Sequence, residues 1–174
     1  FYPKFKCDLI RLGKNFDGGY IVERNSIKNS EILLSFGLSD DWTFEEAYSN
    51  LGKNKIYCYD YSVNTRFWFV NFIKSALNIL LLRDPLINFQ KLFNYVKYKI
   101  FFNSKKNFHH KKFISPNSMK KNLFDNNVHI SLNDIANKIE KNFFLKIDIE
   151  GSEYRILNEI LENSSIESSQ DSTP

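Results

Sequence analysis

An apolar run of strand character ends in two acids and a glycine: Phe143-Phe144-Leu145-Lys146-Ile147-Asp148-Ile149-Glu150-Gly151-Ser152-Glu153. A helical pattern follows at once at Tyr154, Ile156, Leu157, Ile160 and Leu161. A strand that turns directly into a helix belongs to α/β architecture, where ligands bind just outside the carboxyl ends of parallel strands. Acids at such a place either face a ligand or complement the dipole of the helix they precede.

The same grammar recurs upstream. Leu9-Ile10-Arg11-Leu12 and Tyr20-Ile21-Val22 flank an Asp-Gly-Gly turn and read as a hairpin. Ile32-Leu33-Leu34-Ser35-Phe36 is nearly all apolar, as a parallel strand buried on both faces must be, and Gly37 breaks it. Thr43 with Glu46 three residues on reads as a capping box, and Gly52 as the helix end. Lys55-Ile56-Tyr57-Cys58-Tyr59-Asp60 is then a second strand ending in an acid, which completes a βαβ unit. Residues 66–103 read as one or two long apolar helices broken at Asp84-Pro85. Lys111 to Ser115 is a short strand, and Ser131 caps a helix running to Lys141. The expected layout is one α/β domain over residues 1–163 with a helical insertion at about 66–103. Residues 164–174 are Ser-rich and are read as a disordered tail or a fragment edge.

Composition narrows the function classes. In 174 residues, 43% hydrophobic and 16% aromatic content supports one sizeable core. A net charge of +4 with dispersed basic residues does not call for nucleic acid. The most apolar stretch, residues 67–82, is interrupted by Asn71, Lys74 and Asn78. A bilayer span needs about 20 apolar residues, so no transmembrane helix is expected. Cys7 and Cys58 form no zinc or redox motif, which fits a reducing, cytoplasmic location. His109-His110 has no matching Cys or His elsewhere and is read as surface loop, so no metal site is expected; His129, between Val128 and Ile130, is read as structural.

Three turns that follow strands carry glycine or acid: Phe36-Gly37-Leu38-Ser39-Asp40-Asp41, Asp60-Tyr61-Ser62 and Asp148-Ile149-Glu150-Gly151. A parallel sheet places all of them on one edge. Gly37 allows close backbone approach to a ligand, and an acid at the second strand end accepts from ribose hydroxyls in dinucleotide folds. Lys146 projects to the same strand face as Asp148. It is expected to pair with Asp148 or Glu150, or to face an acidic substrate.

The run Ser35-Phe36-Gly37-Leu38-Ser39-Asp40-Asp41-Trp42-Thr43-Phe44-Glu45 resembles the first motif of FkbM-type methyltransferases. Lys146-Ile147-Asp148-Ile149-Glu150-Gly151-Ser152-Glu153 is similar to that family's most recognisable motif, and Ser131-Leu132-Asn133-Asp134-Ile135 resembles a helix start upstream of it. Arg11-Leu12-Gly13 with Asp17-Gly18-Gly19-Tyr20 resembles a lead-in of one branch. The likeness spans residues 9–62 and 128–161. It implies a Rossmann-like class I methyltransferase fold, a three-layer sandwich with a parallel sheet incomplete at its C-terminal end. About four parallel strands are placed, fewer than that fold usually has, so a fragment or edge-to-edge self-association is expected.

The implied activity is S-adenosyl-L-methionine-dependent O-methylation of a sugar, glycan or related small metabolite. By position, Ser35, Phe36, Gly37, Leu38 and Ser39, with Gly19, would lie about the cofactor, and Asp60 and Tyr61 about its ribose. Asp148 is the first candidate base and Glu150 the second, with a metal or the cofactor's amino group as other partners for Asp148. Lys146 is the candidate substrate contact. Ser39 stands where a second glycine is common, and Tyr61 where proline is frequent. Two other readings are a different nucleotide-dependent Rossmann-like enzyme, against which the missing Gly-x-Gly-x-x-Gly argues, and a non-catalytic module. Residues 66–103 are expected to cover the site or, through Lys74, Lys91, Lys97 and Lys99, to offer a peripheral membrane or partner face.

Overall fold

The computed structural model describes residues 6–15, 18–52, 54–116, 128–139, 141–149, 154, 156 and 157. Glu150, Gly151 and the 164–174 tail lie outside these.

Strand β1 (Leu9–Leu12) pairs antiparallel with β2 (Tyr20–Glu23), as the Gly-rich turn predicts. A short helix α1 (Arg24–Lys28) follows, capped by the Glu23 carboxylate. Strand β3 (Ile32–Phe36) is buried at every position. Helix α2 (Thr43–Leu51) and strand β4 (Lys55–Tyr59) complete the predicted βαβ unit, with β4 parallel to β3. The expected Thr43–Glu46 capping box is absent. Thr43 is already helical, and its N–H is taken by the Asp41 carboxylate at 3.0 Å.

Two long helices come next, α3 (Thr65–Leu80) and α4 (Pro85–Phe102), parted where Asp84-Pro85 predicts. Strand β5 (Asn107–His110) then pairs parallel with β4. The predicted surface loop at His109-His110 is therefore a strand, because Phe108 and His110 alternate onto Tyr57 and Tyr59 and stack there. Strands β6 (Phe113–Ile114) and β7 (His129–Ile130) make a small parallel pair. Helix α5 (Leu132–Ala136) opens with a capping box of Ser131 and Asp134. Strand β8 (Phe143–Ile147) closes the described sheet, parallel to β3.

The main sheet is thus wholly parallel, in the order β5-β4-β3-β8. Period-two alternation along β3 divides the core. Leu33 faces a layer of α2, the hairpin and the base of α3 and α4, with Phe44, Tyr48, Trp42, Trp68 and Tyr98. Ile32, Leu34 and Phe36 face the other layer, with Leu132, Ile135 and Ile156. A parallel sheet flanked by helices is the arrangement expected of buried parallel strands, and the order is compatible with a Rossmann-like fold. The chain runs outward from β3 to β5, then returns to β8 on the other side of β3. The crevice between β3 and β8 is therefore the switch point where such sheets take ligands.

At that crevice Gly37 adopts φ +85°, and a Cβ there would lie 1.8 Å from the Asp148 carbonyl oxygen. Both the left-handed backbone and the collision with a fixed backbone atom demand glycine. Gly37→Ala is expected to destabilise the chain by at least about 3 kcal/mol, read as a lower urea midpoint, whereas Gly52→Ala should cost about 1 kcal/mol or less.

Candidate functional site

A cleft of about 640 Å³ opens above the β3–β8 crevice. Gly18, Gly37, Leu38, Ser39, Asp60, Tyr61, Lys146 and Asp148 are among the residues lining it. They come from the hairpin turn, the turns after β3 and β4, and the end of β8 with the residue after it, so the topology brings together residues far apart in sequence. Ser35, Phe36 and Gly19 are not on its wall. Ser35 and Phe36 are fully buried under the turn, and Gly19 packs against the Lys14 carbonyl. Glu150 lies outside the described residues.

Asp60 shapes the cleft. Its carboxylate accepts four hydrogen bonds: from the Leu38 and Ser39 amides at 2.8 and 3.0 Å, and from the Ser62 amide and hydroxyl at 2.8 and 2.6 Å. Burial pushes its pKa up, but these donors outweigh burial and hold it below the ordinary value. The turn it holds includes Ser39 at φ +51°. That backbone suits glycine better than the serine present.

The Asp60 backbone is held as well. Its carbonyl accepts from His109 Nε2 at 2.9 Å, while Tyr98 Oη lies 2.5 Å from His109 Nδ1. Burial pushes the Tyr98 phenol up to about 12, so it stays protonated and donates. His109 is thereby fixed as the neutral tautomer with its proton on Nε2, and burial lowers its pKa.

Asp148 is held from the hairpin. Tyr20 donates to Asp148 Oδ2 at 2.6 Å. The ring of Tyr20 meets Phe44 edge-on and has the Lys146 ammonium 5.4 Å from its centroid. Lys146 itself is buried and pairs with Glu45 at 3.0 Å, not with Asp148. Glu45 Oε1 also accepts from Ser35 Oγ at 2.5 Å. The pair forms because α2 lays Glu45 over the strand face that Ser35 and Lys146 share through their register on β3 and β8. Tyr20 and Glu45 carry no obvious chemistry in isolation, although both fall within the runs quoted above as a lead-in and a first motif.

Lys14 bridges the hairpin turn to Asp41 at 2.9 Å. Asp40, Asp60 and Asp148 are further carboxylates on the wall, Asp60 and Asp148 engaged by the neutral donors given above, while Lys112 and the Glu45-paired Lys146 are its cations. The Tyr61 and Phe113 rings, 4.6 Å apart, form an aromatic side. Such a cleft suits a ligand with a cationic group and a flat ring. Among the described residues no cluster of three or more His, Cys, Asp or Glu is placed to hold a metal ion. No family model, curated protein or solved structure matches the chain.

Two outcomes follow. Lys146→Met leaves Glu45 charged and buried, so it should cost about 3 kcal/mol or more in urea unfolding. Adding Glu45→Leu should recover most of that loss. The pH profile has a definite sign. His109 and His110 are depressed below 6.5, so the stability they contribute is complete above pH 6.5 and is lost as pH falls through their folded values. Asp60 is depressed below 3.8, so its contribution survives until pH falls below that. Stability should therefore decline as pH falls below 6.5, and His109→Gln with His110→Gln should flatten that slope.

Proposed function

We propose that this chain forms the cofactor-binding part of a class I, S-adenosyl-L-methionine-dependent methyltransferase that O-methylates a sugar, glycan or related small metabolite. The observation that carries the reading is the convergence of the Gly37 turn, Asp60 and Asp148 on one acid-rich cleft at the sheet's switch point. The likeness of the Gly37 and Asp148 runs to FkbM-type motifs supports it independently.

The residues present fit the cofactor. The Cβ-less turn at Gly37 permits close approach, and the carboxylates of the wall complement a sulfonium and an ammonium. Tyr61 and Phe113 offer a face for adenine. Asp60 would receive ribose hydroxyls only by sharing lone pairs it now gives to Leu38, Ser39 and Ser62. When bound, the cofactor would supply an activated methyl group on a positively charged sulfur.

The protein's own task is positioning and proton removal. Tyr20 fixes the Asp148 carboxylate through Oδ2. The other oxygen would hold the acceptor hydroxyl and take its proton as that oxygen becomes a nucleophile. Lys146, bound to Glu45, lies in the cleft floor and positions Tyr20 through its ring, so it acts on Asp148 at one remove. The open side of β8, which has one hydrogen-bonded neighbour among the described residues, is where a further strand of this polypeptide or of a second copy would add.

S-adenosylhomocysteine tests the reading in a thermal shift. At about a hundredfold excess over Kd it should raise Tm by roughly 5–10 °C. Tyr61→Ala should remove most of that shift while changing the unliganded stability by less than about 1 kcal/mol. Asp60→Ala is the weaker test, since it also releases the turn. A folded chain that ignores the compound at millimolar concentration, but responds to NAD or a nucleotide sugar, would move the reading to another nucleotide-dependent enzyme.

A further inference from the structure

Helices α3 and α4 form a hairpin that is inverted relative to a water-soluble one. Buried along it are Ser75 and Asn88, with Trp68 and Tyr98 at its base. Asn78 donates to Asn88 Oδ1 at 3.3 Å. The outward residues are Phe69, Ile73, Leu77 and Leu80 on α3, at helical spacing, and Leu86, Phe89, Phe93, Val96 and Ile100 on α4, all exposed. The main core reaches the pair at its base, through Trp68, Tyr98, Phe67, Phe101 and Phe102. Polar residues between helices and large apolar residues outside is the order found where the surroundings are hydrocarbon.

The tip carries this furthest. Leu80, Leu82 and Leu86 are 78%, 82% and 81% exposed. Leu82 adopts φ +56°, a backbone that favours glycine or asparagine, so the fold does not select a leucine there. The polar backbone at the same place is closed inward. Asn88 Nδ2 donates to the Arg83 and Asp84 carbonyls at 2.8 and 3.1 Å, and the Arg83 amide donates to the Asn78 carbonyl at 2.8 Å. A turn whose Arg83 and Asp84 carbonyls are satisfied internally and whose leucines point out goes part of the way to the requirement for entering an apolar medium, with the exposed Arg83 and Asp84 side chains left to reach back to the headgroups.

Charge selects the occupant. From Arg66 to Lys99 there are six basic residues and one acid, Asp84. Lys74 lies six residues before Leu80, and Lys91 six past Pro85. At about 1.5 Å per residue both ammonium-bearing positions stand about 9 Å behind the tip. Arg66 and Lys99 form a second tier further back. The excess positive charge opposes pairing with a second copy and attracts an anionic surface. No helix among the described residues is long and apolar enough to cross a membrane, which leaves shallow insertion, a depth of about 5–10 Å being usual for interfacial segments.

We propose that the α3–α4 hairpin docks tip-first on an anionic lipid bilayer, with Leu80, Leu81, Leu82, Leu86 and Ile87 below the headgroups and Lys74 and Lys91 at their level. This stands apart from the methyltransferase reading, and either can fail alone.

Co-sedimentation tests it, with vesicles of phosphatidylcholine alone and of phosphatidylcholine with phosphatidylglycerol. The chain should pellet with the anionic vesicles, less so as salt rises. Leu81→Ser with Leu82→Ser should abolish pelleting. Lys74→Ala with Lys91→Ala should weaken it about thirtyfold, the loss expected for two basic side chains at an anionic surface. These side chains are exposed, so circular dichroism should show unchanged folding. The proposal is overturned if the folded chain stays in the supernatant with anionic vesicles at low salt, if the leucine variant pellets equally, or if neutral vesicles bind as well. A concentration-dependent dimer broken by the leucine substitutions, without pelleting, would assign the face to a second copy instead.

Discussion

The carboxylate of Asp60 is the contact on which the cleft depends. It ties the end of β4 to the turn after β3 by accepting the Leu38 and Ser39 amides, and it closes its own turn by accepting both donors of Ser62. Charge-assisted bonds of this kind are about twice as strong as neutral ones. They keep Ser39 in a backbone conformation that serine disfavours, and they keep Gly37 against the Asp148 carbonyl. His109 fastens the same residue from β5. Three of the four strands are thus locked at one edge through a single acid, which gives the cleft its shape before any ligand enters.

A second, buried set of charges supports the other wall. Glu45 and Lys146 lie between α2 and β8, and desolvating such a pair makes it a poor source of net stability. Its value is positional. Lys146 faces the Tyr20 ring and Tyr20 holds Asp148, so the hairpin, α2 and β8 are brought into register around one carboxylate. A hydrophobic replacement could equal the pair in stability, but it would leave the Tyr20 ring without a cation against its face.

Much of the fold was legible in the chain. The apolar runs of β3, β4 and β8 and the break at Asp84-Pro85 follow from local pattern, because parallel strands buried on both faces read as near-continuous apolar runs. The cleft residues Gly37, Asp60 and Asp148 were legible for a related reason: residues that follow successive parallel strands fall on one edge of the sheet. The long-range contacts were not legible. Nothing local in Glu45 marks it as the partner of Lys146, since a glutamate in a first helical turn usually serves the dipole. Ser35 and Phe36 immediately precede Gly37 but point into the two cores, because strand alternation sends successive side chains to opposite faces. Strand β5 was missed because its pattern lies in stacking against Tyr57 and Tyr59, which only the sheet order reveals.

The hairpin shows the same limit from the other side. Hydrophobicity over residues 66–103 is plain in the sequence, and by itself it reads as core. Which residues face inward depends on how two helices meet, and here Ser75, Asn78 and Asn88 are inside while phenylalanines and leucines are outside. Had the apolar stripes faced each other, the segment would be a bundle element with a lysine-rich surface. Beyond the aromatic base of Trp68, Tyr95 and Tyr98, the inter-helix contact carries the Asn78–Asn88 hydrogen bond, and the exposed stripes keep a driving force for burial of about 25 cal/mol per Å². In the proposed docking, the tip leucines that stay out above two tiers of basic residues meet a second apolar phase.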